Sequence, residues 1–184
     1  YLYDKIGSTS LTYKPTNFLD KKLIVPTAVD DYFRFNLVEG HVHDMGAAMM
    51  DGISGHAGLF GNSLDIAKIL QLFLQKGSYA NEKFFDEKFF DLFNFRHFKE
   101  KKVRRGIGFD KPELDPDDPN TCGCASDKSF GHYGFTGSVA WVDPETEIIY
   151  VFLSNRTFPD ENNNSLSEFN IRTEIQKLVH EAFD

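Results

Sequence analysis

Apolar residues recur at helical spacing in three stretches of the chain and at strand spacing in one. Asn62-Ser63 precedes Leu64, Ile66, Ala67, Ile69, Leu70, Leu72, Phe73 and Leu74, and Gly77 follows directly. With Asn62 as N-cap, Asp65 three residues on and Gly77 as the stop, the pattern predicts a helix of about three to four turns. Its apolar stripe is wide, so the helix is expected to be largely buried. A second helix is predicted over Asp86 to Arg96, with Phe89, Phe90, Leu92, Phe93 and Phe95 packing into the core. Ser138 to Val142 reads as a short strand, Asp143-Pro144-Glu145-Thr146 as a turn with Pro second, and Ile148 to Leu153 as a second strand. That second strand is apolar on both faces, which places it centrally in its sheet and covered on both sides. A closing helix follows, opened by a Ser165-Leu166-Ser167-Glu168 capping box, with Ile171, Ile175, Leu178, Val179 and Ala182 on one face.

Elsewhere the pattern breaks. The first 35 residues mix short apolar pieces with Pro15, Asn17, Pro26 and Asp30-Asp31, as extended chain and turns do. Residues 110–128 read as a solvated polar loop, with Asp115, Asp117 and Asp118 among three prolines but without the order of a calcium loop. Its length raises the expectation that it borders a site. No repeat is visible, and the order of elements gives an α+β class: an antiparallel sheet flanked by helices, in one domain over residues 1–184.

Composition narrows the function classes. Twenty Lys+Arg against 28 Asp+Glu leave a net charge of −8, which argues against a nucleic-acid partner, whose phosphates need basic residues. No apolar run approaches the roughly 20 residues of a membrane span, so no transmembrane segment is expected. The two cysteines, Cys122 and Cys124, are expected to be plain thiols, because a bridge over one glycine would be strained and a lone pair is only half a zinc site. Nineteen phenylalanines must be covered by something. If part of the protein that normally covers the sheet is missing, an apolar patch and self-association are expected.

Three segments carry possible chemistry: Gly40 to Asp44 with Gly52 to Gly61, then Phe130 to Gly137, then Ser154-Asn155-Arg156. His41, His43 and Asp44 with His56 or His132 offer imidazole and carboxylate ligands, but no specific metal-site spacing accompanies them. A serine nucleophile elbow is absent, since Gly52-Ile53-Ser54-Gly55-His56 fails at its last position, and no Ser-x-x-Lys occurs. A binding module without catalysis is the third option.

His43-Asp44, Gly55-His56-Ala57-Gly58-Leu59-Phe60, Asp65-Ile66-Ala67 and Phe130 to Gly137 together resemble the C-terminal half of the serine β-lactamase family, the penicillin-recognising group of class C β-lactamases, D,D-peptidases and related esterases. The resemblance covers essentially the whole chain. It implies a partial β-lactamase/transpeptidase-like fold lacking its N-terminal part, with that part of the same protein as its partner. The family works through Ser-x-x-Lys, Tyr-x-Asn and Lys/His-x-Gly. By resemblance His132-Tyr133-Gly134 is the third motif. His132 would face an anionic substrate group or the proton network, Gly134 would leave room for substrate, and the Phe135 N–H would be one oxyanion donor. Such a donor is typically worth about 3–4 kcal/mol. Tyr133, which stands where the family has Thr or Ser, would contact substrate together with Thr136 and Gly137. Tyr79-Ala80-Asn81 matches the second motif on paper but follows Gly77 between two helices, and is read as a decoy.

The implied activity is acyl transfer on an amide or ester, a β-lactam or a peptidoglycan-type peptide, without metal or cofactor. The isolated chain is expected to be inert, because an acyl-enzyme needs an activated nucleophile. A non-catalytic cell-wall binding module is the alternative. The resemblance further suggests an exported or periplasmic protein and, in its nearest version, fusion to a family 3 glycoside hydrolase.

Overall fold

The computed structural model describes residues 2–183. A short helix α1 (Leu2–Lys5) leads through turns to the antiparallel pair β1 (Pro26–Asp30) and β2 (Asn36–Glu39). Helix α2 (Met45–Met49) is capped by Asp44, whose Oδ1 accepts from the Ala47 N–H at 2.7 Å. Helix α3 (Ser63–Leu74) starts where the sequence places it: Asn62 Oδ1 accepts from the Asp65 N–H at 2.9 Å. Gly77 takes φ 102° and donates to the Leu72 carbonyl, ending the helix. Its stripe is less buried than expected, with Leu64 exposed and Leu70 and Leu72 in the core. Asp65 is buried as well. Its carboxylate collects the Thr9 and Ser10 N–H groups, the Ser10 hydroxyl and Lys68, fastening the N-terminal segment to the helix.

A two-residue-per-strand hairpin, β3 (Ser78–Tyr79) and β4 (Glu82–Lys83), joins α3 to α4 (Glu87–Asn94). Ala80 and Asn81 both take positive φ at its tip, so Tyr79-Ala80-Asn81 is a tight turn between two helices. The expected packing of α4 needs correction. Only Phe90 reaches the core, edge-on to Phe130, while Phe89, Leu92, Phe93 and Phe95 are exposed. Two turns of helix lie against the sheet at one point, so one aromatic is buried, while Phe89 and Phe93 line an open trough with Phe73, Phe85 and Phe109.

The three-stranded antiparallel sheet runs β5 (Phe130–Tyr133), β6 (Val139–Asp143) and β7 (Ile148–Phe152), in that order. The hairpin is where the sequence puts it, but among the described residues β7 pairs with β6 alone and is not central. Its two-faced apolar pattern comes from helices on both sides. Ile149 and Val151 pack with Leu70, Phe90 and Phe130 on the α3 face, whereas Tyr150 and Phe152 pack with Trp141, Ile175 and Val179 on the other. The closing segment also differs from expectation. A single turn, α5 (Ser165–Glu168), is followed by α6 (Ile171–Glu181), because Asn170 at φ 52° interrupts the helix. Asn164, not Ser165, holds the first cap position, without a side-chain cap. On α6 the buried residues are Gln176 and His180, and Leu178 is exposed.

Two expectations for the 110–128 loop are overturned. Cys122 and Cys124 are joined in a disulfide, their Cα atoms 5.1 Å apart. Gly123, at φ 70°, folds the chain back tightly enough to bring them together. The loop is also not wholly solvated. Asp115, Asp117 and Asp118 are exposed, but Asp110, Lys111 and Thr121 are buried at its ends. Among the described residues, no helix is long and apolar enough to cross a membrane.

Candidate active site

Strand alternation divides β5 into two faces. Phe130 and His132 point to the α3 side, and Gly131 and Tyr133 to the α6 side, in register with Trp141 and Val139. His132 is therefore exposed at the end of the strand, on the same face as the buried Phe130. The Tyr133 ring lies against Trp141 at 5.7 Å with the Arg172 guanidinium over it at 5.0 Å. Burial pushes the Tyr133 hydroxyl up to about 12, so it stays a phenol at neutral pH.

The outer edge of β5 is only partly used. Asp110 exchanges both backbone hydrogen bonds with Gly131, and among the described residues no other backbone pairs with this edge from His132 onward. Asp110 is held there by Arg104, at 2.7 and 2.8 Å, and by Arg105 at 3.3 Å. This brings Arg105 beside His132, Nη1 to Nε2 at 3.4 Å. Because a guanidinium only donates, Nε2 accepts and Nδ1 donates to the Tyr133 carbonyl at 2.8 Å. That contact sets the His132 imidazole next to a fixed cation. Nothing in the sequence singled out Arg105; its only signal is a basic run in a segment without periodicity.

Beyond β5 the chain turns through Gly134-Phe135-Thr136-Gly137. The Gly137 N–H donates to the Gly134 carbonyl at 3.0 Å, and the Gly134 N–H to the Ser138 carbonyl at 2.7 Å. In a trans peptide the N–H points opposite its carbonyl. With the Gly134 carbonyl turned into the loop, the Phe135 N–H faces outward, and among the described residues it has no acceptor. The rest of the turn is braced by the Ser154 to Arg156 segment: the Arg156 N–H and the Ser154 hydroxyl both donate to the Thr136 carbonyl. Across the turn the His43 ring stands 4.7 Å from Phe135, with its Nε2 on Glu161 at 3.0 Å.

The three glycines here have different reasons. A Cβ on Gly131 would land on the Ala140 carbonyl and the Trp141 ring, and one on Gly137 would meet Ser154, at a φ of 99°. A Cβ on Gly134 would meet nothing closer than 3.6 Å. Gly131 and Gly137 are thus required by the fold, whereas Gly134 is not.

The sequence model of the Beta-lactamase family matches residues 13–172. The chain belongs to the beta-lactamase family. Among its relatives, N-acetylmuramyl-L-alanine amidase of Bacillus subtilis is 37% identical over 137 residues, 71% of this chain and 31% of the amidase. A putative D-alanyl-D-alanine carboxypeptidase of Salmonella agona is 37% identical over 124 residues, 67% of this chain and 28% of that protein. The chain therefore spans about a third or less of the length of these relatives. A solved beta-lactamase of Mycobacterium bovis superposes with a TM-score of 0.51 at 21% identity, over 69% of this chain and 46% of that one, which extends the likeness to the fold.

In this beta-lactamase-family chain the histidines considered for a metal do not converge. His43 is spent on Glu161, and His132 on Arg105 and the Tyr133 carbonyl. His56 bridges Ser54 Oγ at 2.7 Å and Asp44 at 2.9 Å. The carboxyl of Asp44 is held below the usual range, first by the Ala47 N–H and then by His56, and the chain of contacts braces loop 50–61 against the start of α2.

Proposed function

We propose that this chain supplies one wall and one oxyanion donor of a serine acyl-transfer hydrolase. In this reading its nucleophile and base lie on another part of the same protein. The observation that carries it is the turn after β5: an outward Phe135 N–H, an exposed His132 and a glycine with no internal reason to be one, side by side at a strand edge. A carbonyl lying along Gly134 would find the Phe135 N–H directed at its oxygen, as stabilisation of a tetrahedral oxyanion requires. His132 and Arg105 would meet an anionic group of the substrate or serve its proton network. Thr136 and Gly137 shape the turn, and Tyr133 supports the strand from behind.

Relatives named as a muramyl-alanine amidase and a D-alanyl-D-alanine carboxypeptidase support an amide of a cell-wall peptide as substrate, and with it export from the cytoplasm. The Cys122–Cys124 bridge fits an oxidising compartment. A glycoside hydrolase fusion forms no part of the reading.

The isolated chain has no Ser-x-x-Lys and is expected to turn over neither a chromogenic cephalosporin, nor a p-nitrophenyl ester, nor a muramyl peptide. Turnover at ordinary enzyme rates by this chain alone ends the reading. Coding sequence upstream of Tyr1 tests the other half: a Ser-x-x-Lys there supports catalysis, and its absence favours a binding module.

A further inference from the structure

Two cysteines and a histidine meet where the 110–128 loop crosses α6, on the face of the sheet opposite His132. The Cys122 and Cys124 sulfurs and a ring nitrogen of His180 lie within 4.8 Å of one another. His180 is 5% exposed, and among the described residues its imidazole has no hydrogen-bond partner. Gln176, one turn earlier, is fully buried; its Oε1 accepts from the Cys122 N–H at 3.1 Å, and its Nε2 has no partner. Unpaired buried polar groups are costly and rare. One of them, Gln176 Nε2, belongs to the side chain that holds the Cys122 N–H.

The bridge does not explain the arrangement. It spans two residues of sequence, so it closes almost no loop and ties the segment to no other element. Two thiolates and an imidazole, by contrast, are the donor set of a zinc-type site, and the ion they hold would join the loop to α6. Cys124 is exposed and open to attack by a thiol.

We propose that Cys122, Cys124 and His180 form a redox-gated site for a thiophilic divalent cation of the zinc(II) type. With the bridge intact the site is closed. An external dithiol opens it by thiol–disulfide exchange: the dithiol gives up two electrons and two protons and becomes a disulfide, while Cys122 and Cys124 become thiols. The cation then displaces both thiol protons and binds two thiolates and the neutral His180 imidazole, with solvent in the fourth position. The Gln176 amide supplies the unspent donor beside Cys122. This inference does not rest on the acyl-transfer reading.

The test is cobalt(II) titration of the full chain, reduced with a phosphine that is removed before the titration under argon. One equivalent is expected to raise a near-ultraviolet thiolate-to-cobalt band and visible bands of tetrahedral cobalt, both lost on adding zinc. Oxidised chain is expected to show neither. Zinc should raise the thermal midpoint of the reduced chain only. Cys122→Ser and Cys124→Ser should weaken cobalt binding at least tenfold and diminish the charge-transfer band. His180→Asn should weaken binding at least tenfold and alter the visible bands while keeping the charge-transfer band. If His180→Asn does not fold, the reduced-against-oxidised comparison still decides. Reduced chain without the charge-transfer band, oxidised chain with the same band, or a folded His180→Asn variant with unchanged affinity and spectrum each overturns the proposal.

Discussion

The Arg156 guanidinium lies over the Phe135 ring at 4.7 Å, and its Nε donates to the Phe135 carbonyl at 2.9 Å. One side chain thus holds both the ring and the backbone of the residue whose N–H faces outward. Its Nη1 also reaches the Glu161 and Asn163 carbonyls, tying the turn to the segment that carries the His43 partner. Arg156 is consequently a positioning residue for the Phe135 amide.

Replacing Arg156 should therefore loosen the turn before it loosens the fold. Arg156→Ala removes charge-assisted hydrogen bonds whose carbonyls can turn to water, so a loss of about 1–2 kcal/mol in urea unfolding is expected. Amide hydrogen exchange at Gly134 and Gly137, whose N–H groups close the turn, should accelerate more than exchange in β6. Arg156→Lys keeps a charge but not the planar fork, and should restore stability better than it restores protection of the turn. Equal loss of protection in β6 and in the turn would show that Arg156 only supports the fold.

The glycines separate structural from functional need. Gly131→Ala places a methyl against the Ala140 carbonyl and the Trp141 ring, and should cost at least about 3 kcal/mol or prevent folding. Gly134→Ala has room and no positive φ to relieve, so its stability should stay within about 1 kcal/mol of wild type. In the whole protein the same change should cost activity if the proposed function holds, because that reading lays the substrate along the strand where the methyl would stand. Full activity of a stably folded Gly134→Ala protein would remove Gly134 from the site.

Much of this was legible from residues alone. Asn62 and Gly77 bracket α3 because caps act locally, through a side chain or a left-handed glycine, whatever the helix packs against. The β6–β7 hairpin is local for the same reason. The place of β7 is not local: an apolar pattern on two faces records coverage by α3 and α6 and is silent about which edge is paired. On α6, Ile175 and Val179 meet the sheet as the pattern implies, but the pattern is silent on Gln176 and His180, which are polar and whose burial only the Cys122 loop lying on them makes sensible. At the candidate site, His132, Gly134 and Phe135 were reached by resemblance, but Arg105 was not. Its nearness to His132 depends on a salt bridge to Asp110 and on that residue pairing with Gly131.

Acid should weaken the start of α3. Burial alone would raise the carboxyl of Asp65, but Lys68, Ser10 and the Ser10 and Thr9 N–H groups outweigh it and hold the group well below the carboxylate range. A carboxyl lowered in the folded state contributes stability that is present above the unfolded value, about 3.9, and lost as pH falls through and below it. The urea midpoint should fall as pH drops from about 5 to about 3. Asp65→Asn should be weaker at neutral pH by about 2–3 kcal/mol, since the N-terminal donors and Lys68 lose an anion, and should show a shallower acid limb. Parallel acid limbs in the two proteins would assign the acid sensitivity elsewhere.

Base should act oppositely, at Lys111. Its ammonium is buried between α4 and β5, donating to Asn94 Oδ1 at 3.0 Å and to the Lys128 and Ser129 carbonyls at 3.2 and 3.0 Å. Burial, reinforced by Arg96, lowers it to about 8. For a base lowered on folding, both states are charged below about 8, and the folded state bears the desolvation cost in full. Between that value and the unfolded one, about 10.4, the unfolded chain binds more protons, so this group's contribution to stability rises with pH. Other lysines and the tyrosines titrate in the same window, so the readable quantity is a difference. Lys111→Met removes the titration and leaves three acceptors without a donor, at a cost of about 1–3 kcal/mol. Wild-type stability minus variant stability, from urea unfolding at steps between pH 7 and about 10, should climb with pH. A flat difference across that range would mean that the Lys111 ammonium is as well solvated in the fold as in the unfolded chain.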